Sequence, residues 1–134
     1  SGVNTKVISG LLNLELIPVF SPITHDGKGQ LYNTNADTIA SEIAIALAKN
    51  FEVELYYCFE KKGVLRTIED EDSVITDINT EIYQALIKEN IIADGMLPKM
   101  QNCFNALERN VSKVFIGSID MLSEENQLRT TITL

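Results

Sequence analysis

The sequence predicts an α/β fold, a three-layer α/β/α sandwich around a mostly parallel sheet. Short runs rich in β-branched and aromatic residues, at 17–23, 53–59, 114–116 and 129–133, alternate with segments whose apolar residues recur every three or four positions. Alternating strands and helices pack as parallel strands joined by crossover helices. Polar residues also gather just ahead of two helices, at 33–37 and 94–99, where open α/β sheets place their ligands.

Taken in order, Asn4 caps a first helix running to about Glu15, with Val7, Ile8, Leu11 and Leu12 at helical spacing. Ile17 to Ile23 reads as a strand buried on both faces, with Pro18 and Pro22 near its ends, and residues 25–29 as a flexible turn. From Asn35, the residues Ile39, Ile43 and Leu47 step by four beside Ala36, Ala40, Ala44 and Ala48, giving a helix with a small-residue face. Val53 to Phe59 is a second strand, followed by Gly63, Val64 and Leu65. Glu69 to Asp72 reads as a solvated hairpin turn and not a metal site, because such like-charged runs repel and face water. Ile82, Tyr83, Leu86 and Ile87 mark a helix starting near Asn79. Pro98 opens another, with Met100, Cys103, Phe104 and Leu107 on one face. Val114 to Ile116 and Arg129 to Thr133 complete the strands, with no repeat or linker to divide a single domain.

Composition narrows the function. The 134 residues suit one core, and 45% hydrophobic with 22% charged residues is ordinary for a globular chain. A net charge of −8 argues against nucleic-acid binding, yet leaves room for a local anion site. The apolar runs are far short of the roughly 20 residues that cross a membrane. No signal-peptide pattern is visible, and Cys58 and Cys103 lack metal or redox spacing. Reduced, buried thiols in a cytoplasmic protein are the expectation.

The first-turn positions carry chemistry. A helix N-terminus bears roughly half a positive charge, which suits Asp37 but not Lys99 behind Pro98. An anion bound between two such helix starts accounts for the pair. The plainer reading is a capped helix and a solvated lysine.

These residues carry a resemblance. Asn33-Thr34-Asn35-Ala36-Asp37, followed by an Ala/Ile-rich helix, resembles the Asn-x-Asn-Ala-Asp signature of acetylglutamate kinases, members of the amino acid kinase family. Ile91 to Lys99, through Asp94-Gly95-Met96-Leu97-Pro98, is similar to that family's Gly-Met-x-x-Lys segment, and Gly63-Val64-Leu65 to its nucleotide-side turn. The resemblance covers the chain but only the C-terminal, ATP-binding half of the family's chain, leaving the N-terminal substrate half absent. It implies ATP-dependent phosphorylation of the side-chain carboxylate of N-acetyl-L-glutamate, on the way to arginine. It implies catalytic roles for Asp37, which organises lysines, and Lys99, which neutralises charge on the moving phosphoryl group. Asn33 and Asn35 would face the N-acylglutamate; Glu60, Lys61, Lys62, Gly63, Val64 and Leu65, with Ile91, Ile92 and Ala93, would border the nucleotide. Mg2+ would be held through the ATP phosphates, with no protein ligand assigned. The expected partners are ATP and N-acetyl-L-glutamate, with no nucleic acid, no membrane, and assembly as a homo-oligomer.

Chemistry and resemblance agree on one point. The acceptor carboxylate is already ionised at neutral pH, so no general base is needed, and His25 reads as a loop residue. Departures are Phe59-Glu60 where the family commonly has Ser/Thr-Asp, and Lys61-Lys62 before Gly63, which touch ATP phosphates or form a solvated turn pair. The family's glycine-rich phosphate loops, second lysine and substrate-gripping arginine have no counterpart, so the isolated chain is expected to be inactive. The alternatives are a non-catalytic nucleotide-binding or assembly module, and a kinase for a different N-acylglutamate.

Overall fold

A computed structural model of the chain describes residues 2–93, 95–123 and 128–134; Asp94 lies outside them. Helix α1, Thr5–Asn13, starts where Asn4 Oδ1 accepts from the Val7 amide at 3.2 Å, and stops before Glu15, whose φ is 58°. The next segment corrects the first expectation. Residues 17–22 form no strand; only Pro22, whose carbonyl accepts from the Thr34 amide at 2.8 Å, meets the hairpin that follows, and Ile17 and Val19 are 89% and 93% exposed. Pro18 and Pro22 have no N–H for a ladder, and an apolar run records neither partner nor cover.

Two short strands follow instead. Strand β1, Ile23–His25, pairs antiparallel with β2, Leu31–Asn33, as a separate hairpin. Asp26 Oδ1 organises its turn, accepting from the amides of Lys28 and Gln30 at 2.7 and 3.2 Å. Gly27 and Gly29 supply the left-handed backbone that the reversal needs, with φ of 79° and 104°. This hairpin delivers Asn33 to the mouth of helix α2, Ala36–Leu47.

The main sheet has the order β3-β5-β6-β4, from Glu54–Cys58, Lys113–Gly117, Thr130–Ile132 and Asp77–Ile78. The β3/β5 and β4/β6 pairings are parallel and β5/β6 is antiparallel. The α/β class and the mostly parallel sheet are as expected. Helix α3, Thr80–Lys88, is capped by Asn79, and α4 spans Met96–Glu108. Strand alternation turns Leu55, Tyr57, Val114, Ile116 and Ile132 toward α2, α3 and α4, where they pack on Ala44, Leu86, Met100 and Cys103. On the opposite face Tyr56 stacks on Phe115 at 4.7 Å between ring centroids, and the Arg129 guanidinium caps the Phe115 ring at 4.4 Å. Cys58 shares that outward register and is exposed, which corrects its expected burial; Cys103 is buried.

The Pro98 expectation also changes. The helix begins two residues earlier, at Met96, making Pro98 its third residue. The first four amides of a helix have no intrahelical acceptor, so a proline there costs no bond.

Candidate functional site

The site forms where α2 and α4 start beside the carboxyl end of β3. Asn35 caps α2, its Oδ1 accepting from the Thr38 amide at 3.0 Å, and this fixes Asp37 in the first turn. Lys99 is the fourth residue of α4, and its Nζ lies 3.2 Å from Asp37 Oδ2. The side chains are 19% exposed for Lys99 and 34% for Asp37, so the pair is sheltered but not sealed from solvent. Water screens it less than the other ion pairs among the described residues. The two residues singled out in the sequence therefore meet, each at a helix start, though as partners to one another.

Two aromatic rings complete the surroundings of Lys99. Nζ lies 5.5 Å from the centroid of the Tyr57 ring and 5.6 Å from that of Phe59. The Tyr57 hydroxyl donates to the Asp37 carbonyl at 3.2 Å, and burial pushes the phenol well above its ordinary range. Ser41, one turn after Asp37, is buried close enough to favour the phenolate slightly, but its geometry falls short of a hydrogen bond. Below the pair, burial pushes the Cys103 thiol up to about 12, with the charge of Lys99 partly offsetting it. Such a thiol stays protonated and packs as a small apolar group. Sequence reading passed over Tyr57 and noted Phe59 only as a departure. The period of two that places Leu55, Tyr57 and Phe59 on one face was the available sign.

The turn at residues 60–65 is held firmly. The Val64 amide donates to buried Thr130 Oγ1 at 2.8 Å, and the Phe59 amide to the Gly117 carbonyl at 2.9 Å. A Cβ on Gly63 would lie 2.7 Å from both Thr130 Oγ1 and Val74 Cγ1, so only glycine lets the turn approach so closely. Glu60 is exposed, Lys61, Lys62 and Leu65 are half-buried, and the side chains of Val64 and Ile92 are buried in the core. Lys61 pairs with Glu71 and Lys62 with Asp72, each at 3.1 Å. The acidic run is indeed a turn, closed by the Leu65–Val74 bridge, and its carboxylates engage the two lysines. Ile91 and Ala93 are half-buried and lead into α4. Asn33 is exposed at the end of β2, and Asn35 has its carbonyl oxygen engaged in the cap.

Residues 1–118 match the amino acid kinase family. The chain belongs to that family. It is 48% identical over 122 residues to the acetylglutamate kinase of Phocaeicola vulgatus, covering 91% of this chain and 48% of that protein. To the acetylglutamate kinase of Cytophaga hutchinsonii it is 49% identical, covering 91% and 46%. The chain thus spans about half the length of these curated relatives. Among solved structures, the smu.665 protein of Streptococcus mutans superposes with a TM-score of 0.77 at 29% identity, covering 99% of this chain and 49% of that one. N-acetylglutamate synthase from Neisseria gonorrhoeae, solved with coenzyme A and L-arginine, gives 0.81 at 22% identity over 98% and 31%, a likeness of fold alone.

Proposed function

We propose that this chain is the nucleotide-binding half of an ATP-dependent kinase that phosphorylates the side-chain carboxylate of N-acetyl-L-glutamate in arginine biosynthesis. The observation that carries it is the sheltered Asp37–Lys99 pair at two helix starts, in a chain whose relatives at nearly half identity are acetylglutamate kinases. Two anions must meet in this reaction, an acceptor carboxylate and the γ-phosphate, and repulsion between them is the main obstacle. Lys99 supplies positive charge to the phosphoryl oxygens, while the amide ends of α2 and α4 add their partial charges. Asp37 holds the ammonium in place until the phosphate arrives. Breaking the β–γ bond and forming the acyl phosphate need no protein base, since the attacking oxygen carries no proton.

Asn33 and the amide of Asn35 lie on the acceptor side, and the turn at Glu60–Leu65 with Ile91–Ala93 on the nucleotide side. Mg2+ would arrive bound to the ATP phosphates, where it would neutralise part of their charge. A coupled assay on the intact protein with N-acetyl-L-glutamate and a bulkier N-acylglutamate tests the reading. Turnover of the acetyl compound is expected, and no ADP release with either acceptor refutes it. The isolated 134 residues are expected to bind a non-hydrolysable ATP analogue weakly and to transfer no phosphate, because much of the positioning lies elsewhere. Measurable turnover by them would contradict that half of the proposal.

A further inference from the structure

Tyr57 joins three elements at once, and the mechanism above makes no use of it. It is 4% exposed in β3, on the face that meets the helices. Its ring lies against the Lys99 ammonium of α4, and its hydroxyl donates to the Asp37 carbonyl in the first turn of α2. Phe59, two residues on and on the same face, forms a second wall beside the ammonium.

A lysine side chain turns about four bonds, and one carboxylate does not fix where its ammonium sits. Asp37 also has a drawback as the sole anchor, because it neutralises the charge that a phosphate needs. Aromatic faces act differently. Their quadrupoles attract a cation through the negative π-face without contributing a formal negative charge. An ammonium held against two neighbouring rings and a carboxylate is therefore fixed in direction and still able to stabilise incoming oxygens. The hydroxyl bond adds a second constraint, tying the strand that carries the rings to the helix turn that carries the carboxylate. Because burial keeps the phenol protonated, that donor persists through the neutral range.

We propose that Tyr57 is a positioning residue for Lys99, its ring setting the place of the ammonium relative to Asp37, with Phe59 as a second ring beside it. This deepens the kinase reading and rests on it, so the test needs one readout that does not depend on turnover. In the intact protein, Tyr57→Leu, Tyr57→Phe and Phe59→Leu are compared for kcat and for KM toward ATP and N-acetyl-L-glutamate. In parallel, the Lys99 ε-methylene resonance is followed in protein labelled with 13C-lysine and assigned by its loss in Lys99→Arg. Tyr57→Leu is expected to lower kcat roughly tenfold, within the span of about twofold to thirtyfold for losing a partly desolvated cation–π contact, with both KM values changing less than about threefold. Tyr57→Phe keeps the ring and returns kcat to within about threefold of the parent. The Lys99 resonance, shifted by ring currents, moves toward the position of exposed lysines in Tyr57→Leu and stays in Tyr57→Phe. An unmoved resonance in Tyr57→Leu, or a raised KM for ATP with kcat unchanged, overturns the proposal. If Tyr57→Leu does not fold, Phe59→Leu decides by the same two readouts. A parent protein that phosphorylates nothing refutes the kinase reading alone, and the resonance still decides the positioning.

Discussion

At the scale of single residues, the site depends on how charge is sheltered. In the intact protein Lys99→Ala is expected to lower kcat by roughly 10²–10³-fold, the cost of losing one donor aimed at developing charge. Its effect on N-acetyl-L-glutamate binding should be much smaller, and a normal kcat with a raised KM for ATP would reduce Lys99 to a nucleotide-holding role. Cys103 gives a second prediction. Its thiol sits at about 12 in the folded chain against an ordinary value of 9.0, so the folded state holds a proton that the unfolded state releases first. Stability from this group is complete below about pH 9 and is lost as pH rises toward 12; Tyr57, also raised, acts in the same direction. Thermal unfolding between pH 8 and 11 should show a falling midpoint, shallower in Cys103→Ala than in the parent; equal slopes would remove the thiol from the account. At this scale Asp37 and Lys99 were legible because each stands in a recognisable local pattern. Tyr57, and the pairing of Lys61 and Lys62 with the acidic turn, were not, since these contacts join segments that the sequence separates.

At the scale of elements, local chemistry was read well and long-range pairing poorly. Asn4, Asn35 and Asn79 each cap a helix through their side-chain oxygens, a signal contained within four residues. The 17–23 run failed as a strand because pairing depends on a neighbour, and the β1–β2 hairpin was missed because its strands are three residues each. Asn35 has the largest consequence of the three caps, since α2 carries Asp37 in its first turn, two residues after the cap, and buries Ser41, Ala44 and Ile45 further on. Asn35→Ala is expected to destabilise the protein by about 1 kcal/mol, the usual cost of losing such a cap, whereas Asn35→Asp retains the acceptor and most of the stability. Urea unfolding of both variants checks this. Equal losses would show that the amide nitrogen of Asn35, and not its capping oxygen, is what the fold needs.

At the scale of the whole molecule, the alternation of elements was enough to give the class, but not the mixed order of the sheet. The chain passes from β5 to β6 through a single 3-10 turn and not a long helix among the described residues, and so β6 returns antiparallel. Surface character follows from the same geometry. Leu16, Ile17, Val19, Phe20 and Ile23 are 51%, 89%, 93%, 48% and 57% exposed, and Leu31 and Tyr32 add 62% and 50% on the adjoining hairpin. Pro18, Val19, Phe20 and Pro22 face Ala36, Ile39, Ala40 and Ile43 across a groove, so these apolar groups form a connected surface. Connected apolar surface of this kind marks a contact region or an aggregation liability. Residues 17–22 form no strand, so they offer no strand edge through which copies could pair. Burial of the patch is the driving force that remains. The −8 charge opposes association at low salt, but its reach falls to about 8 Å at physiological ionic strength. The isolated 134 residues should accordingly self-associate at micromolar concentration, more at moderate salt than at low salt, and Val19→Asp should return them toward monomer. Size-exclusion chromatography with light scattering at two salt concentrations measures this. A monomer under both conditions would mean that residues 16–23 fold back and cover their own apolar surface in solution.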